Sequence, residues 1–182
     1  MRRESAPWAC SKPVAAEAQV IHWVRGDTAI GPIVLAATAR GICHLSIAAD
    51  TARLIKAFPT CERLEVGPWA GQFVDRVVDA IAQPHLPHDL PLDPQGTEFQ
   101  HKVWAEVCRI PGGETRSYLS IAAAIGHPKA IRAVGAANGD NPIAVLIPCH
   151  RLVRSSGALA GYAYGLDRKT WLLDKERQET RG

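Results

Sequence analysis

The sequence predicts an α/β N-terminal domain, built as a small antiparallel sheet with helices, followed by a mostly α C-terminal domain carrying a winged helix-turn-helix. Three observations predict it. Residues 19–47 alternate apolar and polar side chains around the tight turn Ala39-Arg40-Gly41, the pattern of strands joined by a hairpin. Pro84, Pro87, Pro91 and Pro94 then crowd into one short stretch that no helix tolerates. Beyond it come closely spaced helical segments, each with its own capping residue. The expected division is a loose lead-in over 1–18, an α/β domain over 19–94 and a helical domain over 95–182.

In the first domain, residues 19–25, 32–38 and 42–47 read as strands. Asp50 offers an N-cap for a short helix reaching Phe58, and Pro59 breaks it. From Gly67 a second helix places Trp69, Phe73, Val77 and Ile81 four apart, a core-facing stripe. In the second domain, Thr97 caps a helix with Phe99, Val103 and Val107 on one face and Trp104 and Cys108 on the adjoining one. Ile110-Pro111-Gly112-Gly113 ends it. Ser117 caps the next helix, Tyr118 to Ile125; Gly126-His127-Pro128 is a tight turn; Lys129 to Ala137 is a further helix. Helix, short Gly-containing turn and helix form a helix-turn-helix signature. The second of these helices is almost bare: Ala130, Ala133, Gly135, Ala136 and Ala137 surround one long cation, Arg132. Such a helix fits against a narrow groove with Arg132 projecting, or equally packs inside the protein with Arg132 at its rim. Leu152 to Tyr162 reads as strand, Ser-Ser-Gly turn and return. Asp167 caps the last helix, which carries Trp171, Leu172, Leu173 and, one turn on, Glu176. The tail from Arg177 is expected to fray.

Composition narrows the classes. Apolar content of 47% and charge of 21% suit a globular protein. No apolar run approaches the roughly 18 residues of a membrane span, and no secretion signal follows the N-terminus. Five unpaired-looking cysteines, with no zinc-type spacing, point to reduced thiols in the cytoplasm and to no metal. Net charge is +3; residues 95–182 carry +4 and residues 1–94 carry −1, so the half with the helix-turn-helix can meet an anionic partner.

The chemistry centres on Asn141 to Arg151. Ala144 to Ile147 reads as a short buried strand, stopped by Pro148. Cys149, His150 and Arg151 follow. A thiol is a nucleophile as thiolate, and its ordinary pKa of roughly 8.5 leaves little of it at neutral pH. A histidine and a fixed positive charge alongside are expected to raise that fraction. A buried cysteine beside a chance basic pair reads the same in the tetrapeptide alone.

Pro148-Cys149-His150-Arg151, with Asn141 and the apolar run before it, resembles the active-site signature of the O6-alkylguanine-DNA alkyltransferases (methylated-DNA–protein-cysteine methyltransferases). Gly96-Thr97-Glu98-Phe99-Gln100, Val103-Trp104, Ile110 to Thr115, Ser117-Tyr118, Arg132 to Gly135, Gly161-Tyr162 and Leu172 to Glu176 resemble the rest of that family's DNA-binding domain in order. The likeness spans residues 95–177; before it, Arg40 to Cys43 and Pro91 to Asp93 are similar to the C-terminal half of the bacterial adaptive-response protein. The resemblance implies a ribonuclease H-like N-terminal domain and a monomer acting on duplex DNA that carries O6-methylguanine. It implies direct-reversal repair, with one irreversible methyl transfer to Cys149 and no cofactor, and O4-methylthymine as a second substrate. It further implies a relay from Glu176 to His150 and through a water to Cys149, bracing by Asn141, and proton donation by Tyr118. DNA contact falls to Arg132, Ala130, Ala133, Gly135, Ser117 and Arg151. The alkyl pocket falls to Tyr162, Ala163, Ser155, Ser156, Gly157 and Pro148. Ala163 and Tyr164 depart from relatives with serine, then glycine or tryptophan, which bears on bulky alkyl groups. The readings weighed against this were a lesion-binding module without transfer, a cysteine hydrolase and a transcriptional role.

Overall fold

A computed structural model describes residues 20–48, 51–59, 62–64 and 67–180. The lead-in over 1–18 and the Asp50 cap lie outside the described residues. Strands β1 (Val20–Thr28), β2 (Gly31–Thr38) and β3 (Gly41–Ile47) form an antiparallel meander, and β4 (Glu62–Leu64) adds to β1 in parallel, giving the order β3-β2-β1-β4. β4 was not expected: three residues are too few to show a period. β2 shows why this stretch is a strand. Ile33, Leu35 and Ala37 enter the main core, while Val34 and Ala36 join a smaller cluster with Ile21, Cys43, Leu54 and Phe58. Alternate residues thus serve opposite faces, and helix α1 (Thr51–Ala57) covers the second face through Leu54.

The expected helix from Gly67 is two pieces, α2 (Pro68–Gly71) and α3 (Val74–Ala82). The break follows Gly71, a poor helix former, yet the stripe survives, with Phe73, Val77 and Ile81 buried. The proline-rich stretch is docked rather than loose. Ile42 donates its N–H to Pro91 O at 2.9 Å and accepts from Asp93 N at 2.7 Å. Asp93 is buried and takes Arg40 at 3.0 Å and Thr38 at 2.8 Å. The main core cluster continues across this stretch into the C-terminal half.

Helix α4 (Glu98–Val107) starts in a capping box between Thr97 and Gln100. β5 (Arg116–Ser117) leads into α5 (Tyr118–Ala124), where the Ser117 hydroxyl accepts from Ser120 N at 3.0 Å. Gly126, at φ +80, turns the chain into α6 (Ile131–Gly139). The helix therefore begins two residues later than expected and leaves Lys129 and Ala130 in the turn. α6 packs on α4 through Val134 and Ala137, whose carbonyl accepts Trp104 Nε1 at 2.8 Å. Arg132, Ala133 and Ala136 face outward, so the small side chains form the free face.

Ala144 to Ile147 is not a strand. Val145 sits at φ +67 and folds the segment into a compact buried turn, closed by Ile147 N to Ile143 O at 3.1 Å. Burial alone does not separate a strand from such a turn. β6 (Leu152–Val153) pairs in parallel with β5, and the chain returns through an exposed turn at Ser155-Ser156-Gly157 to bridge Val153 with Leu159. The last helix, α7 (Leu166–Glu179), is preceded by Gly165 at φ +93; Asp167 lies in its first turn and does not cap it. The expected fraying from Arg177 is absent up to Glu179, where Thr180 Oγ1 closes on Glu176 O at 2.9 Å. Among the described residues no helix is long and apolar enough to cross a membrane.

Candidate active site

Asn141 builds the site's backbone. Its Nδ2 donates to Ile147 O and its Oδ1 accepts from Ile143 N, both at 2.9 Å. The side chain spans the turn that holds Val145 in the left-handed region, a conformation costly for a β-branched residue. Cys149 N then reaches Ile147 O at 2.7 Å, and a 3₁₀ turn, Cys149–Arg151, fans out the three reactive-looking side chains.

His150 is fully buried, and its Nε2 lies 2.8 Å from Glu176 Oε1. Burial pushes the Glu176 carboxyl up, but hydrogen bonds from His150 and Arg151 outweigh it and hold the group below the usual carboxylate range. An ionised carboxylate only accepts, so Nε2 carries the proton and Nδ1 keeps its lone pair. That Nδ1 is buried and meets no protein partner. Burial lowers the His150 pKa, opposed by Glu176 and reinforced by Arg151. The resting imidazole is neutral and its free nitrogen is a base.

The sulfur state differs from expectation. Burial pushes the Cys149 thiol up, against the pull of Asn141, Lys169 and Tyr162. The resting pair is thiol and neutral imidazole, not a preformed thiolate. The expected fixed charge, Arg151, does not serve the sulfur. Its guanidinium is spent on Glu176 (2.9 Å), Ile110 O (2.6 Å) and Pro84 O (2.8 Å). It is buried, which also removes it from the residues available to DNA. The cation that does favour the thiolate is Lys169, which sequence reasoning missed. It is fully buried on α7, with Nζ donating to Leu152 O at 2.6 Å and Ala160 O at 3.3 Å.

Cys149 opens on a cavity of about 50 Å³. Tyr118, Asn138 and Asn141 form part of its wall with Gly135 and Gly139; Gly161, Tyr162, Ala163 and Tyr164 form the rest. Of the residues expected in the pocket, Tyr162 and Ala163 are there. Pro148 and Ser155 to Gly157 are not among the lining residues; the latter three form the exposed turn after β6. Gly135, expected only against DNA, lines the cavity as well. Ser117, Ala130, Arg132 and Ala133 remain on or near the outer side of α5 and α6. Asn138 was missed: its Nδ2 donates to Cys149 O at 3.3 Å. Its signal was the spacing from Val134, one helical turn earlier on the same buried face. The Tyr118 phenol is pushed up by burial and by Cys149, with Asn138 drawing it partly back. Tyr162 is pushed up further, by burial first and by the neighbouring Cys149 second. Both phenols are proton donors at neutral pH. About 10–15 Å³ of such space seats one water, so the cavity holds a few waters.

Fold and site together define a thiol acceptor of the cysteine–histidine–glutamate kind, set beside an exposed helix of small residues. Residues 98–178 match the family described as 6-O-methylguanine DNA methyltransferase, DNA binding domain. The chain is 42% identical to a methylated-DNA–protein-cysteine methyltransferase of Methanosarcina barkeri, over 85% of this chain and 96% of that protein. It is 40% identical to the bifunctional transcriptional activator/DNA repair enzyme Ada of Escherichia coli, over 87% of this chain but only 46% of Ada, so it spans about half the length of that relative. The crystal structure of Mycobacterium tuberculosis OGT in complex with DNA superposes with a TM-score of 0.75 at 40% identity, covering 86% of this chain and 93% of that one. The chain belongs to the methylated-DNA–protein-cysteine methyltransferases.

Proposed function

We propose that the protein repairs duplex DNA by moving the methyl group of O6-methylguanine, and less efficiently of O4-methylthymine, to Cys149. The observation that carries this reading is the Cys149 thiol on a cavity, followed in the chain by an imidazole whose Nδ1 is buried without a partner and whose Nε2 is fixed by Glu176. The thiol proton passes to His150 Nδ1 through a bridging water, since adjacent residues rarely reach each other directly. Sulfur attacks the methyl carbon; the S–C bond forms as the C–O6 bond breaks, and the electron pair stays on the guanine. Tyr118 supplies a proton to the leaving base. Asn141 holds the turn, and Lys169 stabilises the thiolate as it forms. The product thioether is a poor leaving group, so each molecule acts once and the chemistry calls for no cofactor.

The methyl carbon is out of reach inside a duplex, so the nucleotide flips, at about a few kcal/mol. α5, the Gly126 turn and α6 act as the helix-turn-helix, and the hairpin after β6 as its wing. Ser117, Ala130, Ala133 and Gly135 let the duplex approach closely, and Arg132 fills the gap in the stack. The N-terminal sheet is taken as ribonuclease H-like. The protein works as a cytoplasmic monomer. Incubation with an oligonucleotide carrying O6-methylguanine, followed by peptide mass analysis, adds one methyl to the peptide containing Cys149. An unmodified peptide, or a methyl on Cys43 or Cys108, refutes the assignment.

A further inference from the structure

We propose that Arg53, on α1, is a positioning residue that sets the size of alkyl group Cys149 accepts; the inference rests on the transfer reading above. Tyr164 lines the cavity. Its ring meets Tyr162 edge-on, with centroids 5.6 Å apart at 69°, and Tyr162 and Cys149 line the same cavity. The Arg53 guanidinium lies over the Tyr164 ring, 4.8 Å from its centroid, and Nη2 donates to Ala163 O at 3.5 Å. Arg168 grips the same segment by its backbone: Nη1 donates to Tyr164 O at 3.1 Å and Nε to Ile30 O at 2.9 Å. Two arginines therefore tie one wall of the cavity to the N-terminal sheet and its covering helix. The segment is bounded by two glycines, exposed Gly161 before it and Gly165, at φ +93, after it.

The resting cavity is small, about 50 Å³, and Tyr164 forms part of its wall. A methyl group asks least of the wall. A longer alkyl chain needs the Tyr164 ring to swing away from Arg53, which breaks the cation–π contact. Arg53 thus penalises large groups more than small ones, through Tyr164 and without touching the reacting atoms.

The test compares wild type, Arg53→Ala and Arg53→Lys in single-turnover transfer from duplex oligonucleotides carrying either O6-methylguanine or O6-n-butylguanine. Arg53→Ala raises the butyl-to-methyl rate ratio roughly 2- to 5-fold, the size of a partly exposed cation–π contact. Arg53→Lys, which keeps the cation, restores most of the wild-type ratio. A ratio that stays constant overturns the inference, whether both rates fall together or neither moves. Wild-type protein that transfers no methyl at all overturns the functional reading instead, and the two failures are told apart by that control.

Discussion

Glu176 receives His150 Nε2 at 2.8 Å and Arg151 Nη2 at 2.9 Å on the same oxygen, while its second oxygen accepts Gly113 N at 3.0 Å. One carboxylate fixes the base and is itself neutralised by a buried cation. Burial keeps the imidazole neutral against the pull of Glu176, and Arg151 adds to that effect.

Arg151→Ala leaves Glu176 buried without its counter-ion and strips Ile110 O and Pro84 O of a donor. The expected loss of folding stability is about 3–5 kcal/mol, typical of a broken buried pair. Arg151→Lys recovers little, because one ammonium cannot reproduce the fork that reaches three acceptors. Chemical denaturation measures both. A variant within about 1 kcal/mol of wild type would return Arg151 to the exposed, DNA-facing role, where surface changes are small.

The lowered His150 pKa has two consequences with one sign. The unfolded chain takes its proton near the ordinary 6.5, while the folded chain resists it. Stability from this group is therefore whole above pH 6.5 and is lost as pH falls through the lower folded value. Glu176, held below 4.5, adds a second loss in more acid solution. Methyl transfer follows the same base: it holds steady around neutrality and declines only below pH 6.5. Single-turnover rates across pH check this, and a decline beginning above pH 7 contradicts a neutral resting imidazole.

Cys149→Ala removes the acceptor but leaves α5 and α6 unchanged. Transfer is abolished and affinity for duplex DNA is retained, as read by gel shift and by methyl release.

What could be read in the sequence was what neighbouring residues decide. Thr97 and Ser117 announce α4 and α5 because a cap acts within three residues, and the structure supplies the partners, Gln100 and Ser120. The Ala144 to Ile147 turn was misread because its shape depends on Asn141 reaching forward to Ile147, which an apolar run does not show. The pairing of His150 with Glu176 crosses 26 residues and was visible only through family resemblance. Arg151 was misassigned for a related reason: a cation beside a reactive cysteine can face the sulfur, the DNA or a buried carboxylate, and only the fold chooses.

Lys169 tests the source of thiolate stabilisation. It is fully buried, donates to two backbone carbonyls and has no carboxylate partner among the described residues. Burial lowers its pKa, so folding opposes its charge. An apolar replacement of similar length removes the cost of burying that charge. The same charge favours the Cys149 thiolate. Lys169→Met should therefore separate the two effects. Folding stability stays within about 2 kcal/mol of wild type, the unpaired Leu152 and Ala160 carbonyls offsetting the relief of a desolvated ammonium. Methyl transfer slows roughly tenfold, equivalent to about 1.4 kcal/mol of lost thiolate stabilisation, and the pH at which the Cys149 thiol ionises moves upward. Thiolate absorbance titration alongside transfer kinetics reads both. Unchanged transfer with an unmoved titration would make Lys169 a structural strut between α7 and the chain around β6, and would leave Asn141 and Tyr162 as the groups that draw the thiol down.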